Sequence, residues 1–202
     1  MKSYTPLRRL LILCLPMLLI IGACATYTRQ VVMRYEPITT KRFAGGELFL
    51  VNTEMQPPSA SGAWPLGSVK NRDNRVIDTL WSGASPAALV QTALSRELDR
   101  SGYQVIPQRK VPESAAKMVE ISEAVIDVEQ VSNISRVDGS CTITVAITVS
   151  RAGVPGRILR YKATGTDIAI KERDRLVEGM LRSTMQDIMK QAIPDIVAIL
   201  EQ

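Results

Sequence analysis

The chain has 202 residues, with 25 Lys or Arg against 20 Asp or Glu and no histidine. Without histidine, Ser-His and Cys-His catalysis and imidazole metal sites are excluded. Aromatic residues make up only 4%, which weakens the case for a platform on which bases or sugars stack.

The N-terminus begins with a short basic region, Lys2, Arg8 and Arg9, followed by an apolar run from Leu10 to Ala23. A membrane-spanning helix needs about 20 apolar residues. This run is shorter and contains Pro16, so it has the form of the hydrophobic region of a secretory signal ending in small residues. Much of the formal charge of +5 belongs to that segment. Once Lys2, Arg8 and Arg9 leave, 22 basic residues face 20 acidic ones, a balance of +2. That gives no electrostatic case for nucleic acid as a partner.

The residues Ile21-Gly22-Ala23-Cys24 resemble a bacterial lipobox. The resemblance implies cleavage between Ala23 and Cys24, a diacylglycerol on the Cys24 thiol and acylation of the new amino group. The membrane is then a partner through lipid on Cys24. Several acyl chains hold firmly, because each buried methylene adds about 0.8 kcal/mol. Ala25, where aspartate would signal retention at the inner membrane, favours the periplasmic face of the outer membrane. The domain plan is residues 1–23 as signal peptide, 24–44 as lipidated N-terminus and tether, and 45–202 as one periplasmic domain. Cys14 leaves with the signal and Cys24 takes lipid. Cys141 is then alone, so the mature chain has no disulfide of its own.

Phe43 stands where the fold is expected to begin. Residues 47–53 read as a short strand, followed by a loop rich in breakers that includes Pro57, Pro58, Pro65 and Gly67. In 68–83, charges cluster at Lys70, Arg72, Asp73, Arg75 and Asp78. Val76, Ile77, Leu80 and Trp81 either touch the core or form an edge strand. Residues 85–101 make the clearest helix. Ser85 suits the N-cap, Pro86 the first turn, and Gly102 the left-handed closing position. Val90, Leu94 and Leu98 form its apolar stripe, and Arg96, Glu97, Asp99 and Arg100 its wet face. A strand then returns at 103–106.

Residues 117–131 are strand-like with mixed parity, which a bulge or burial on both faces explains. Asp138-Gly139 reads as a turn. Residues 141–150 alternate cleanly, with Cys141, Ile143, Val145, Ile147 and Val149 on one face and a threonine-rich set on the other. The chain turns at 151–157, and a strand follows at 158–170. A helical stripe from Leu176 to Met189 is interrupted at Pro194 and resumes to Leu200. The expected fold is α+β, a mostly antiparallel sheet with two main helices packed on one face.

The order of these elements looks like the YajG-type family of outer-membrane lipoproteins, and is similar also to the auxiliary lipoproteins of ABC-type lipid transporters. The residues carrying the resemblance are Ile21 to Cys24, "VKNRDNR" at 69–75 and "VQTALSRELDRSGYQV" at 90–105. Both families imply a non-enzymatic role in the Gram-negative envelope, with no cofactor and no catalytic residues. The expected function is a tethered binding or scaffold module for an unidentified envelope protein or lipid, with Lys70, Arg72, Asp73 and Arg75 as its contact residues. Membership of an ABC-type lipid transport system is one alternative. A hydrolase using carboxylates such as Asp73, Asp78, Glu120, Glu123, Asp127 and Glu129 is another. It would need a deep pocket joining two of them. Cys141 reads as a core residue, not a nucleophile.

Overall fold

A computed structural model describes residues 29–40, 42, 45–53, 62–112, 115–170 and 173–202. The signal peptide, Ala23, Cys24 and Phe43 lie outside the described residues. The elements are β1 (Arg29–Val31), β2 (Gly46–Asn52), β3 (Trp64–Asn71), β4 (Val76–Ser82), α1 (Pro86–Ser101), β5 (Tyr103–Gln108), β6 (Lys117–Ser132), β7 (Val137–Arg151), β8 (Val154–Ala169) and α2 (Arg173–Leu200).

The eight strands form a mixed sheet, not the mostly antiparallel one expected. β6–β7, β7–β8 and β3–β4 are antiparallel. β1–β4, β2–β5, β2–β6 and β3–β6 are parallel. Parallel neighbours require a crossover. α1 lies on the connection that returns the chain beside β2 as β5. The helices divide the strands between them: α1 contacts β2, β5 and β6, α2 packs mainly on β7 and β8, and the two touch each other.

β6 explains the branching. Its first half pairs with β2 from Met118 to Ile121, and its last part pairs with β3 from Val128 to Ser132. Its other edge follows β7 almost throughout. The register shifts between Ile121 and Glu123, so Ser122 is a bulge. Val119 and Ile121 are buried before it; Ile126, Val128 and Gln130 are buried after it. One inserted residue therefore accounts for the mixed parity of this segment.

α1 has the predicted boundaries. Ser85 Oγ accepts a hydrogen bond from Ala88 N at 3.0 Å, and Gly102 sits at φ 109°, a conformation that glycine adopts at little cost. α2 runs on through Pro194 without the expected interruption. Pro194 and Lys190 are both exposed, so the Lys190 carbonyl that loses its helical partner faces water.

Two sequence expectations shift. β3 forms inside the stretch taken as a breaker loop, with Pro65 and Gly67 within it. A Cβ at Gly67 would overlap the Val128 backbone, so glycine is what permits the close β3–β6 pairing. Asp138-Gly139 is not a turn but the start of β7; the turn is at Asn133–Arg136, where Asn133 N donates to Arg136 O at 2.9 Å. Gly139 is small because α2 crosses it, and a Cβ there would run into Met180.

The described part of the 24–44 stretch is docked, not free. β1 pairs with β4, and Tyr35 is 1% exposed. The described fold thus starts at Arg29, ahead of Phe43.

Candidate functional site

Three regions present chemistry. The first is the β3–β4 hairpin. Asn71 organises its tip: its side-chain Oδ1 accepts from Asp73 N at 3.0 Å and Arg75 N at 2.9 Å. Asn74 takes a left-handed φ of 64°, which asparagine tolerates well. The tip brings Arg72, Asp73 and Arg75 together in solvent, with Arg72 Nε 3.7 Å from Asp73 Oδ1. Lys70 is drawn away from them. It is half-buried and ion-paired with Glu129 of β6. The four residues expected to act as one patch therefore split into an exposed trio and a sheet-bracing pair.

The second region was not legible in the sequence. Glu97, placed by periodicity on the wet face of α1, is buried. Its carboxylate accepts the Tyr35 hydroxyl. It also accepts Ile38 N and Thr39 N, each at 2.8 Å. Next to it, Arg96 donates to the Tyr35 carbonyl. Burial alone would raise the Glu97 pKa, but the hydrogen bonds from Thr39, Tyr35 and Ile38 outweigh it and hold the group below its ordinary value. Tyr35 moves upward, first through burial and then through Glu97. The partners of Glu97 lie about sixty positions upstream, so no local pattern announces them. Open grooves flank the segment it holds. One, of 210 Å³, includes Ile38, Thr39, Met189, Ile193 and Pro194. Another, of 560 Å³, includes Thr39, Thr40, Arg42, Asp99 and Arg100.

The third region is the far end of α2. Tyr103 Oη donates to Glu201 at 2.6 Å, and Lys117 Nζ lies 2.5 Å from the same oxygen. Lys117, then Tyr103, hold Glu201 below its ordinary pKa. This group fastens the end of α2 to β5 and β6.

The remaining candidates stay apart. Cys141 is fully buried, and burial pushes its thiol up to about 11, which removes thiolate reactivity at neutral pH. Asp78 accepts from Thr79 N, Glu129 pairs with Lys70, and Glu123 and Asp127 are exposed on β6. Among the described residues no three metal-ligating side chains of the His, Cys, Asp or Glu type come together. No helix among them is long and apolar enough to cross a membrane.

No known family and no curated protein matches this chain. Solved structures give distant likenesses. A Xanthomonas campestris protein of the DUF330 family is 11% identical, with a TM-score of 0.49 over 86% of this chain and 95% of that one. A minor lipoprotein from Acinetobacter baumannii is 10% identical, with a TM-score of 0.37 over 81% and 95%. The rare lipoprotein B from Shewanella oneidensis is 13% identical, with a TM-score of 0.37 over 67% and 98%. No property is carried over from likenesses this distant.

Proposed function

We propose that this chain is a non-catalytic lipoprotein of the YajG type. Lipid on Cys24 holds it at the periplasmic face of the outer membrane, where it binds another envelope component. The observation that carries this reading is the sequence Ile21-Gly22-Ala23-Cys24 after a basic and apolar leader. An anchor of this kind confines the domain to a surface, so a modest intrinsic affinity suffices there.

The arrangement of side chains supports binding over chemistry. Glu97, the one buried carboxylate described above, is engaged by Tyr35, Ile38 and Thr39, contacts that hold the segment after β1 against α1. The exposed hairpin trio Arg72, Asp73 and Arg75 is a polar tip on a rigid scaffold, a usual place for recognition. The test is photocross-linking in intact cells from position 73, which is exposed between the two arginines, in the otherwise unchanged chain and in an Arg72→Ser/Arg75→Ser variant. Lys70 is kept, because its removal would strand Glu129. The reading requires a specific adduct that the double variant loses while its melting temperature stays unchanged. Absence of any adduct, or turnover of an envelope substrate by the purified protein, contradicts it.

A further inference from the structure

From the strand registers and the length of chain after Cys24 we infer that one end of the sheet lies on the lipid surface. That end is the row formed by the β3–β4 hairpin tip, the β6–β7 turn and the last residues of β8. The inference rests on the lipidation of Cys24 proposed above, and deepens that reading by naming phospholipid as the envelope component that the hairpin tip meets.

The registers define the two ends. Asn71 stands opposite Ser132, Ser132 opposite Val137, and Val137 opposite Ala169. These residues lie in one row at the near end. Lys117 stands opposite Arg151, and Arg151 opposite Val154, at the other end. Arg29 of β1 is level with Leu80, Gly67 and Val128. From that level the near row is four residues along β3, roughly 13 Å, while Lys117 is eleven residues along β6, roughly 36 Å.

Five residue steps separate Cys24 from Arg29. Whatever path they take, they span at most about 17 Å. A lipid on Cys24 can therefore reach the near end and cannot reach the far one. Since β1 runs parallel to β4, its N-terminal side also points toward the near end.

The near end carries the matching chemistry. The described residues include ten exposed large apolar side chains, and five of them collect here: Val76, Ile77, Ile134, Ile168 and Ile170. Ile134, at the tip of the β6–β7 turn, is 84% exposed, and Ile170 72%. They come from three separate chain segments, which local sequence chance does not explain. Basic residues stand among them. Arg72 and Arg136 are each paired with a neighbouring aspartate, and Arg75 makes no ion pair among the described residues. Short apolar side chains with cations beside them suit the boundary between phospholipid headgroups and acyl chains. A folded sheet end of this kind dips into that layer without crossing it.

The experiment uses the mature lipidated protein in vesicles of phosphatidylethanolamine and phosphatidylglycerol. A fluorophore is attached at Ile134→Cys or, at the far turn, at Ala152→Cys; Cys141 is buried and does not compete for label. Lipids bearing nitroxides at known depths report position. The expected result is flotation of both proteins with the vesicles, the label at 134 lying about 5–10 Å into the headgroup boundary and the label at 152 remaining in water. Flotation with both labels in water overturns the docking and leaves the anchor standing. So does a label at 134 shielded from aqueous quencher but untouched by lipid nitroxides, because a protein then covers this end. Failure to float overturns the anchor and the docking together.

Discussion

Tyr35 donates its hydroxyl to Glu97, 62 positions further along, and both side chains are buried. With Ile38 N and Thr39 N on the same carboxylate, this closes the segment after β1 against α1. The described segment from Arg29 to Thr39 is thereby made part of the domain.

Removing the carboxylate leaves one hydroxyl and two backbone N–H groups without their acceptor. Glu97→Ala is expected to lower stability by about 3 kcal/mol, and Tyr35→Phe by about 1 kcal/mol, given that an unsatisfied buried polar group costs about 1–3 kcal/mol. Urea unfolding with an unchanged m-value measures both. A loss below about 0.5 kcal/mol for Glu97→Ala, the scale of an ordinary surface substitution, would mean that the clasp is not structural.

A local signal is legible in the sequence where no distant contact competes with it. Ser85 and Gly102 bound α1 because each acts within one turn of its own position. The alternation from Cys141 to Val149 marks the buried face of β7 because strand parity is local. Glu97 was misplaced because its partners come from another part of the chain. Gly139 was misplaced because a glycine that admits Met180 of a crossing helix has the same letters as a glycine in a turn. The parallel pairings of β6 with β2 and β3 leave no mark on any single segment. Likewise, the charged letters of 70–75 gave no sign that Lys70 would turn to Glu129.

Acid should act through Glu97 with a definite sign. Its folded pKa lies below the ordinary value of 4.5, so the native state takes up its proton less readily than the unfolded chain. The stabilisation is fully present above that value and is lost as pH falls through the folded pKa. Wild type should lose stability on acidification below pH 4.5 more steeply than Glu97→Gln, compared by thermal melting at matched ionic strength. Parallel curves would show that Glu97 is not depressed.

Two glycines should respond differently to the same change. Gly67→Ala places a Cβ into the Val128 backbone, which cannot move without breaking the β3–β6 pairing; a cost of about 3 kcal/mol or more is expected. Gly139→Ala meets the end of Met180, a flexible side chain that can swing aside. About 1–2 kcal/mol is expected there, in the range for mild overpacking. Equal losses by chemical denaturation would contradict this ordering.

Cys141 should be inert and structural. Its thiol, pushed up to about 11 by burial, should resist alkylation in the native protein at neutral pH and react fully in urea. Cys141→Ala should cost about 1 kcal/mol, as small core truncations do, and leave partner capture unchanged. Rapid native alkylation, or loss of capture with unaltered melting, would make it a functional thiol.

The central claim is the anchor, and mass spectrometry of the mature N-terminus after growth on labelled palmitate tests it most directly. The account predicts a protein that begins at Cys24, carries label on that residue, and sediments with outer membrane. Cys24→Ala should carry no label and accumulate as uncleaved precursor. An unlabelled N-terminus, cleavage elsewhere, or a Cys24→Ala protein that is processed and labelled like wild type would contradict it.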